Sequence, residues 1–198
     1  MARVLAVLTV LVLALPSVSP ATAGEPTEQL RAQVDRAFAL LEDPALRGPE
    51  SAAERRRQLR RIAEQTFDFG AAARRALGRH WEGRTEGERA EFVRLFTALI
   101  DRGYLSRLDL YEGERLAWTG ESMDGDDAIV KTHVVTRSGE TPADFLMTRG
   151  AGGRWHVRDV VVAGVSLVGN YRTQFARILR TTSFDDLLEK LRAKQAAD

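Results

Sequence analysis

The chain has 198 residues, enough for one domain with a real core, and 29 basic against 28 acidic side chains give a formal net charge of +1. It contains no cysteine, which excludes disulfides, thiolate metal sites and Cys nucleophiles. His80, His133 and His156 are scattered along the chain, which argues against a His-rich metal centre.

Residues 1–23 have the pattern of a secretory signal peptide. Arg3 gives a basic start, Val4 to Leu15 is an uncharged apolar run, Pro16 ends it, and Ala21-Thr22-Ala23 fits the small-x-small cleavage rule. The run is too short for a spanning helix, which needs about 20 residues. Cleavage after Ala23 would leave residues 24–198 as a single soluble domain, formally neutral because Arg3 is the only charge removed.

In chain order, Leu30, Val34, Phe38 and Leu41 form one helical stripe over Thr27 to Leu41, stopped by Asp43-Pro44. Ser51-Ala-Ala-Glu54 has a capping-box pattern and predicts a second helix with Leu59 and Ile62 on its buried side. Phe67-Asp68-Phe69 leads into a short helix to Leu77, capped by Asp68 or Thr66 and ended by Gly78. Thr85-Glu-Gly-Glu88 predicts a second capping box and the longest helix, to about Leu110, with a wide apolar stripe interrupted by Gly103.

After Leu110 the period changes. Glu114–Glu121, Asp127–Arg137, Ala143–Arg149 and Arg154–Val162 read as four strands joined by hairpin turns at Asp124-Gly-Asp-Asp, Ser138-Gly and Gly150-Ala-Gly-Gly. Trp155 to Val162 then meets Gly164, and Val168, Tyr171, Phe175, Ile178 and Leu179 restore a helical period. Ser183-Phe-Asp-Asp186 caps a last helix carrying Leu187, Leu188 and Leu191. The expected class is α+β: a twisted four-stranded antiparallel sheet with about six or seven helices packed on one face. Helices over a bent sheet make either a pocket, which needs an apolar occupant, or ordinary core.

Charge is unevenly spread. Between Ser51 and Arg84 there are nine arginines against four acids, whereas Asp101 to Thr148 holds ten acids against five bases. The arginine cluster fits either a solvated helix face or an anionic partner, such as lipid headgroups or an acidic protein. Export and the lack of interleaved aromatics argue against nucleic acid.

Phe67-Asp-Phe69, Arg75-Ala-Leu-Gly-Arg-His-Trp81, Glu91-Phe-Val-Arg-Leu-Phe96 and Gly164-Val-Ser-Leu-Val-Gly-Asn-Tyr-Arg-Thr-Gln-Phe175 resemble the Mla-type periplasmic phospholipid-binding family, also called the toluene-tolerance or ABC-transport auxiliary family. The resemblance covers nearly the whole chain after residue 23. It implies a soluble periplasmic carrier of glycerophospholipid that maintains outer-membrane lipid asymmetry. The implied partners are an inner-membrane MCE-type ring protein with its ABC permease and an outer-membrane lipoprotein complex. It implies no catalytic residue and no cofactor, with bound phospholipid as cargo, and the expected state is a monomer.

A carrier must hide acyl chains, since each exposed CH₂ costs about 0.8 kcal/mol. The expected tail cavity is lined by Phe96 and Tyr104 of the long helix and by Val130, Val134, Phe145, Met147 and Trp155 of the sheet. Tyr171 and Phe175 of the following helix complete it; for each residue the alternative is core. Tyr104 and Tyr171 suit a pocket mouth, where a phenol meets water. Arg75, Arg79 and His80 are candidates for the entrance or a docking face.

Competing chemistry is thin. Gly164-x-Ser166 lacks the second glycine of a nucleophile elbow, and Gly164-x₄-Gly169 lacks the Lys and Ser/Thr of a phosphate loop. Asp124-Gly-Asp126-Asp127 lacks the ligands of an EF-hand. A small-molecule isomerase or hydrolase is the main alternative, with Asp159 as its only odd carboxylate, and a chaperone-like binder is a third.

Overall fold

The computed structural model describes residues 24–104 and 111–196; the signal-peptide reading of residues 1–23 and the expected extension of the long helix through 105–110 lie outside them. Among the described residues, six α-helices and a five-stranded antiparallel sheet follow one another as α1 (Glu25–Glu42), α2 (Ala52–Thr66), α3 (Phe69–Leu77), α4 (Glu86–Tyr104), β1 (Arg115–Asp124), β2 (Asp127–Thr136), β3 (Gly139–Arg149), β4 (Trp155–Val162), β5 (Val165–Ser166), α5 (Leu167–Ile178) and α6 (Phe184–Ala196). The strands form a meander in sequence order. The fifth strand, absent from the sequence reading, is a two-residue hairpin return. Ala163 and Gly164, both at positive φ (49° and 79°), make the tight turn that lets Val165 pair with Val162.

Two of the predicted capping boxes form. The Thr85 amide donates to Glu88 at 2.7 Å and the Glu88 amide donates to the Thr85 hydroxyl at 3.2 Å, a reciprocal cap for α4. Ser183 and Asp186 repeat it at the start of α6, at 2.8 and 3.1 Å. The box at Ser51 does not form. Ser51 sits in a 3₁₀ turn (Pro49–Ser51) with helical backbone angles, its hydroxyl donates to the Ala45 carbonyl at 3.0 Å, and Glu54 pairs with Arg57 instead.

Two β-bulges set which side chains face the helices. The register of β1 on β2 shifts between Trp118 and Gly120, which turns Glu121 inward beside Val130. Its carboxylate accepts from the amide and hydroxyl of Thr27, at 2.8 and 2.6 Å, and so caps α1 from the sheet. On β4 the shift falls between the partners of Leu146 and Met147, so Val157 pairs with Met147 while Val160 pairs with Phe145. The extra residue, Arg158, brings Val160 and Val162 to the face already occupied by Trp155 and Val157.

The buried apolar side chains form two clusters. One joins α3, α4, α5 and α6 around Phe92, Phe96, Phe175 and Leu187. The other lies between α1 and the sheet and contains Leu30, Ala128, Val130, Met147, Trp155 and Val157.

Candidate functional site

The site grows from the junction of α2 and α3. The Asp68 amide donates to the Val157 carbonyl at 2.9 Å, a parallel bridge onto β4, and the Asp68 carboxylate accepts from the Ala71 amide at 2.8 Å to cap α3. This pins Phe67 and Phe69 beside the sheet, with ring centroids 5.7 Å apart. Between these rings, the end of α4 and the β4–β5 hairpin lies a cavity of about 330 Å³, at the low end of small-ligand pockets (roughly 300–1,000 Å³). Ala63, Ile100, Val160, Val162, Val165 and Leu167 supply most of its wall; Tyr104, Asp101, Ser166 and Asn170 are its polar members. Its rim reaches solvent through large apolar side chains: Tyr104 is 44% exposed, Val162 43% and Val165 62%.

A second cavity of about 260 Å³ lies on the other side of Ala63 and Phe67, which line both spaces. Leu30, Val34 and Phe38 of α1, Leu59 and Ile62 of α2, and Leu116 and Phe145 of the sheet enclose it, with Gln33 and Thr66 as its polar members. Ala63 of α2 and Phe67 just after it therefore stand between two greasy chambers.

Few charged groups intrude. Asp101 is buried at the wall of the first cavity and accepts from Arg60 Nε at 2.7 Å. Burial pushes its carboxyl above the ordinary range; Arg60 opposes the shift and Glu64 adds to it. Burial also raises the Tyr171 phenol, with Tyr104 contributing. Asp159 is buried and serves as a clamp. It accepts from the amides of Val160 and Val168, at 2.8 and 3.0 Å, and from the Ser166 hydroxyl, which in turn caps α5 through the Gly169 amide at 2.8 Å. Asp159 is thus held by three of the chain's own donors at the β4–β5 turn and does not line the cavity, which leaves Asp101 as the carboxylate on its wall. Among the described residues no three His, Asp or Glu side chains converge as metal ligands, and no helix is long and apolar enough to cross a membrane.

The family model described as MlaC protein matches residues 31–193. The chain belongs to the MlaC family. A curated relative, the intermembrane phospholipid transport system binding protein MlaC of Haemophilus influenzae, is 26% identical over 125 residues. That match spans 61% of this chain and 58% of the relative's length. Among solved structures, the phospholipid-binding protein from Ralstonia solanacearum in complex with a phospholipid superposes with a TM-score of 0.75 at 23% identity, over 87% of this chain and 98% of that one. The α+β architecture is thus a fold shared with that protein.

Against this MlaC-type fold, the residues expected to line a tail cavity separate into groups. Tyr104 lies on the rim of the first cavity and Phe145 on the wall of the second. Met147 and Trp155 border a smaller space of about 210 Å³ under α1. Phe96 and Phe175 are buried in the helical cluster, with Tyr171 packed edge-on to Phe96 at 5.4 Å. Val130 is wholly buried beneath α1, and Val134 is half-buried on β2; neither is among the described lining residues of these spaces. Arg75 and Arg79 are exposed on α3 and the turn after it, and His80 is half-buried, all three apart from the described cavity walls. The residues that sequence reasoning missed are Ala63, Phe67, Phe69, Ile100, Val160, Val162 and Leu167. The signal available for them was the Phe67-Asp-Phe69 block, whose two rings flank a capping aspartate.

Proposed function

We propose that this chain is a periplasmic carrier that shelters the acyl chains of a glycerophospholipid in the paired cavities and moves lipid between membrane-bound complexes. The observation that carries this reading is the apolar cavity whose rim is built of exposed Tyr104, Val162 and Val165. An isolated core has no reason to present such a rim to water, whereas a site that takes up and releases fatty chains needs one. Family membership and the phospholipid held by the Ralstonia protein support the same ligand class. Each chamber would take one chain, with Ala63 and Phe67 between them. Binding and release make no covalent bond, so no general acid, base or nucleophile enters the mechanism. The acyl chains gain about 0.8 kcal/mol per CH₂ removed from water, and the headgroup stays at the rim.

The remaining parts of the reading follow from the same resemblance. The leader at residues 1–23 would direct export, and handover would pass between an outer-membrane lipoprotein complex and an inner-membrane MCE-type ring protein coupled to an ABC permease.

Lipid extraction and mass spectrometry of the purified protein test the proposal. Co-purified glycerophospholipid at near-stoichiometric amounts is expected; an empty protein would overturn it. The double variant Tyr104→Arg/Phe145→Asp puts one charge into each chamber. Its lipid content should fall at least severalfold while the fold persists, since an unpaired charge beside hydrocarbon costs several kcal/mol. Unchanged occupancy in a folded double variant would remove both chambers from the binding site.

A further inference from the structure

Glu121 reaches from the sheet to the residue that precedes α1, and one of its oxygens is left over. Its Oε2 accepts from the amide and the hydroxyl of Thr27, which hold the carboxylate in place. Among the described residues Oε1 has no donor. It lies against Gly24: a Cβ on that glycine would sit 1.9 Å from Oε1 and 2.9 Å from the carboxyl carbon. The Gly24 backbone is extended, at φ −76° and ψ 174°, and open to any residue. The nearby carboxylate, and not the chain conformation, therefore calls for glycine there. Gly24 and Glu121 are both half-buried, and Pro26 and Thr27 beside them are buried.

The same contact places the Gly24 nitrogen. N and Cβ of one residue are two bonds, about 2.5 Å, apart, so the nitrogen lies at most about 4.4 Å from Oε1. Inside a longer chain that nitrogen is a peptide amide, with one N–H in a fixed direction and no charge. At a chain terminus it is an ammonium at neutral pH, with three donors free to rotate. Independently of this geometry, the Ala21-Thr22-Ala23 pattern puts a leader cut at the bond before Gly24.

We propose that the spare oxygen of Glu121 receives the amino terminus created when a leader peptidase hydrolyses the Ala23–Gly24 bond. Water adds across that bond; the carboxyl goes to Ala23, and the amine stays on Gly24 and is protonated. The ammonium then pairs with Glu121 and ties the start of α1 to β1. A positive charge at a helix start is otherwise unfavourable, and Glu121 offsets that cost. The neighbouring Glu25 lies 3.9 Å from Arg149 and already has a cation beside it. Because α1 walls the second chamber through Leu30, Val34 and Phe38, the tie braces that wall only in the processed chain. The inference rests on the leader reading for the place of the cut and is independent of the cargo.

The full-length chain is exported from a bacterial host, and N-terminal sequencing with intact mass reads its first residue, expected to be Gly24. The terminal amine is then acetylated selectively at about pH 6.5, where lysines stay protonated, and thermal melts compare the free and blocked forms. The same pair is made for Glu121→Gln, whose amide oxygen still accepts from Thr27 but carries no charge. Blocking should lower the native midpoint by about 3 °C, the scale of one partly buried ion pair in a chain of this length, and added salt should shrink the difference. It should shift Glu121→Gln by less than about 1 °C. Gly24→Ala, which sets a methyl group against the carboxylate, should melt below the native chain and not respond to blocking. Identical melts for the free and blocked native chain overturn the pairing. An equal drop in both Glu121 backgrounds does so too, since the loss is then steric, as does a Gly24→Ala chain that melts and responds like the native one. A first residue other than Gly24 overturns it together with the position of the leader cut. Lipid extraction tests the carrier reading separately, so the two can fail independently.

Discussion

The two apolar regions of the chain are made of the same residue types and end in opposite states. In the helical cluster Phe92 has Phe96, Phe175 and Phe184 around it, with ring centroids 5.9, 5.6 and 6.1 Å away, and the space is filled. In the seam between α2 and the sheet, Phe67 and Phe69 touch each other at 5.7 Å, and Phe67 has a cavity on either side. The difference originates in α2. Its apolar stripe is thin, with Leu59, Ile62 and Ala63 inward, while Arg55, Arg56, Arg57, Arg60 and Arg61 take a third of the helix. A helix so poor in large apolar side chains cannot fill the space between α1, the sheet and α4, so the space stays open. Emptiness is thus a property of one helix, while the neighbouring bundle carries the stability.

The largest effect should expose that division. Phe92→Ala removes a wholly buried ring from the filled cluster and should cost about 3–5 kcal/mol, read by chemical denaturation, with lipid per folded molecule unchanged. Phe67→Ala should cost less than half as much, because the ring already borders empty space and forfeits fewer contacts. It should instead merge the chambers and alter the lipid profile. Equal stability losses at the two positions would erase the distinction between filled and open regions.

Next in size is the clamp that holds the β4–β5 hairpin against α5 and so shapes the cavity wall. Asp159→Ala leaves the Val168 amide without its acceptor and frees Ser166, for an expected loss of about 2–3 kcal/mol by thermal or urea unfolding. Asp159→Asn, which keeps an acceptor oxygen, should recover about half. If both variants lose lipid binding with no loss of stability, Asp159 belongs to the ligand and not to the clamp.

These positions also mark where the sequence was readable. Thr85 with Glu88 and Ser183 with Asp186 are local patterns, and both form as reciprocal bonds within three residues. Ser51 with Glu54 has the same spelling but follows Pro49 in a 3₁₀ turn, where the serine backbone is already helical. The hairpins were legible from their turns; the bulges were not, since Arg158 inside a run of valines gives no sign of which valines change face. That one shift decides that Val160 and Val162 line the cavity. Phe96 and Phe175 were indistinguishable from lining residues because core and pocket draw on the same side chains, and only packing separates them.

A smaller effect follows from filling the gap. Ala63 lines both chambers, so Ala63→Phe would place a ring where ligand is expected. Stability should stay within about 1 kcal/mol of the native chain, since the new volume enters open space and not packed core. Lipid loading should fall severalfold. A large destabilisation would show that the chambers close in solution around their own side chains.

The smallest expected change is at the charged wall, and its sign follows from the titration of Asp101. Burial raises its carboxyl above the ordinary value of 3.8, so the folded chain holds the proton more tightly than the unfolded chain does. Stability from this group is complete below 3.8 and is lost as the pH rises through the folded value. In its ionised form the carboxylate is therefore a net cost, only partly offset by Arg60, whereas an amide at the same place has no charge to desolvate. Asp101→Asn should raise the melting temperature at pH 7 by about 2 °C, equivalent to somewhat under 1 kcal/mol in a chain of this size. The gain should shrink as the pH falls through the folded value, because the native side chain then becomes neutral as well. The helical cluster contains no such group, so Phe92→Ala should show a pH-independent loss over the same range. If Asp101→Asn instead lowers the melting temperature at pH 7, the Arg60–Asp101 pair is a stabilising tie between α2 and α4, and the open seam is held by charge as well as by its apolar walls.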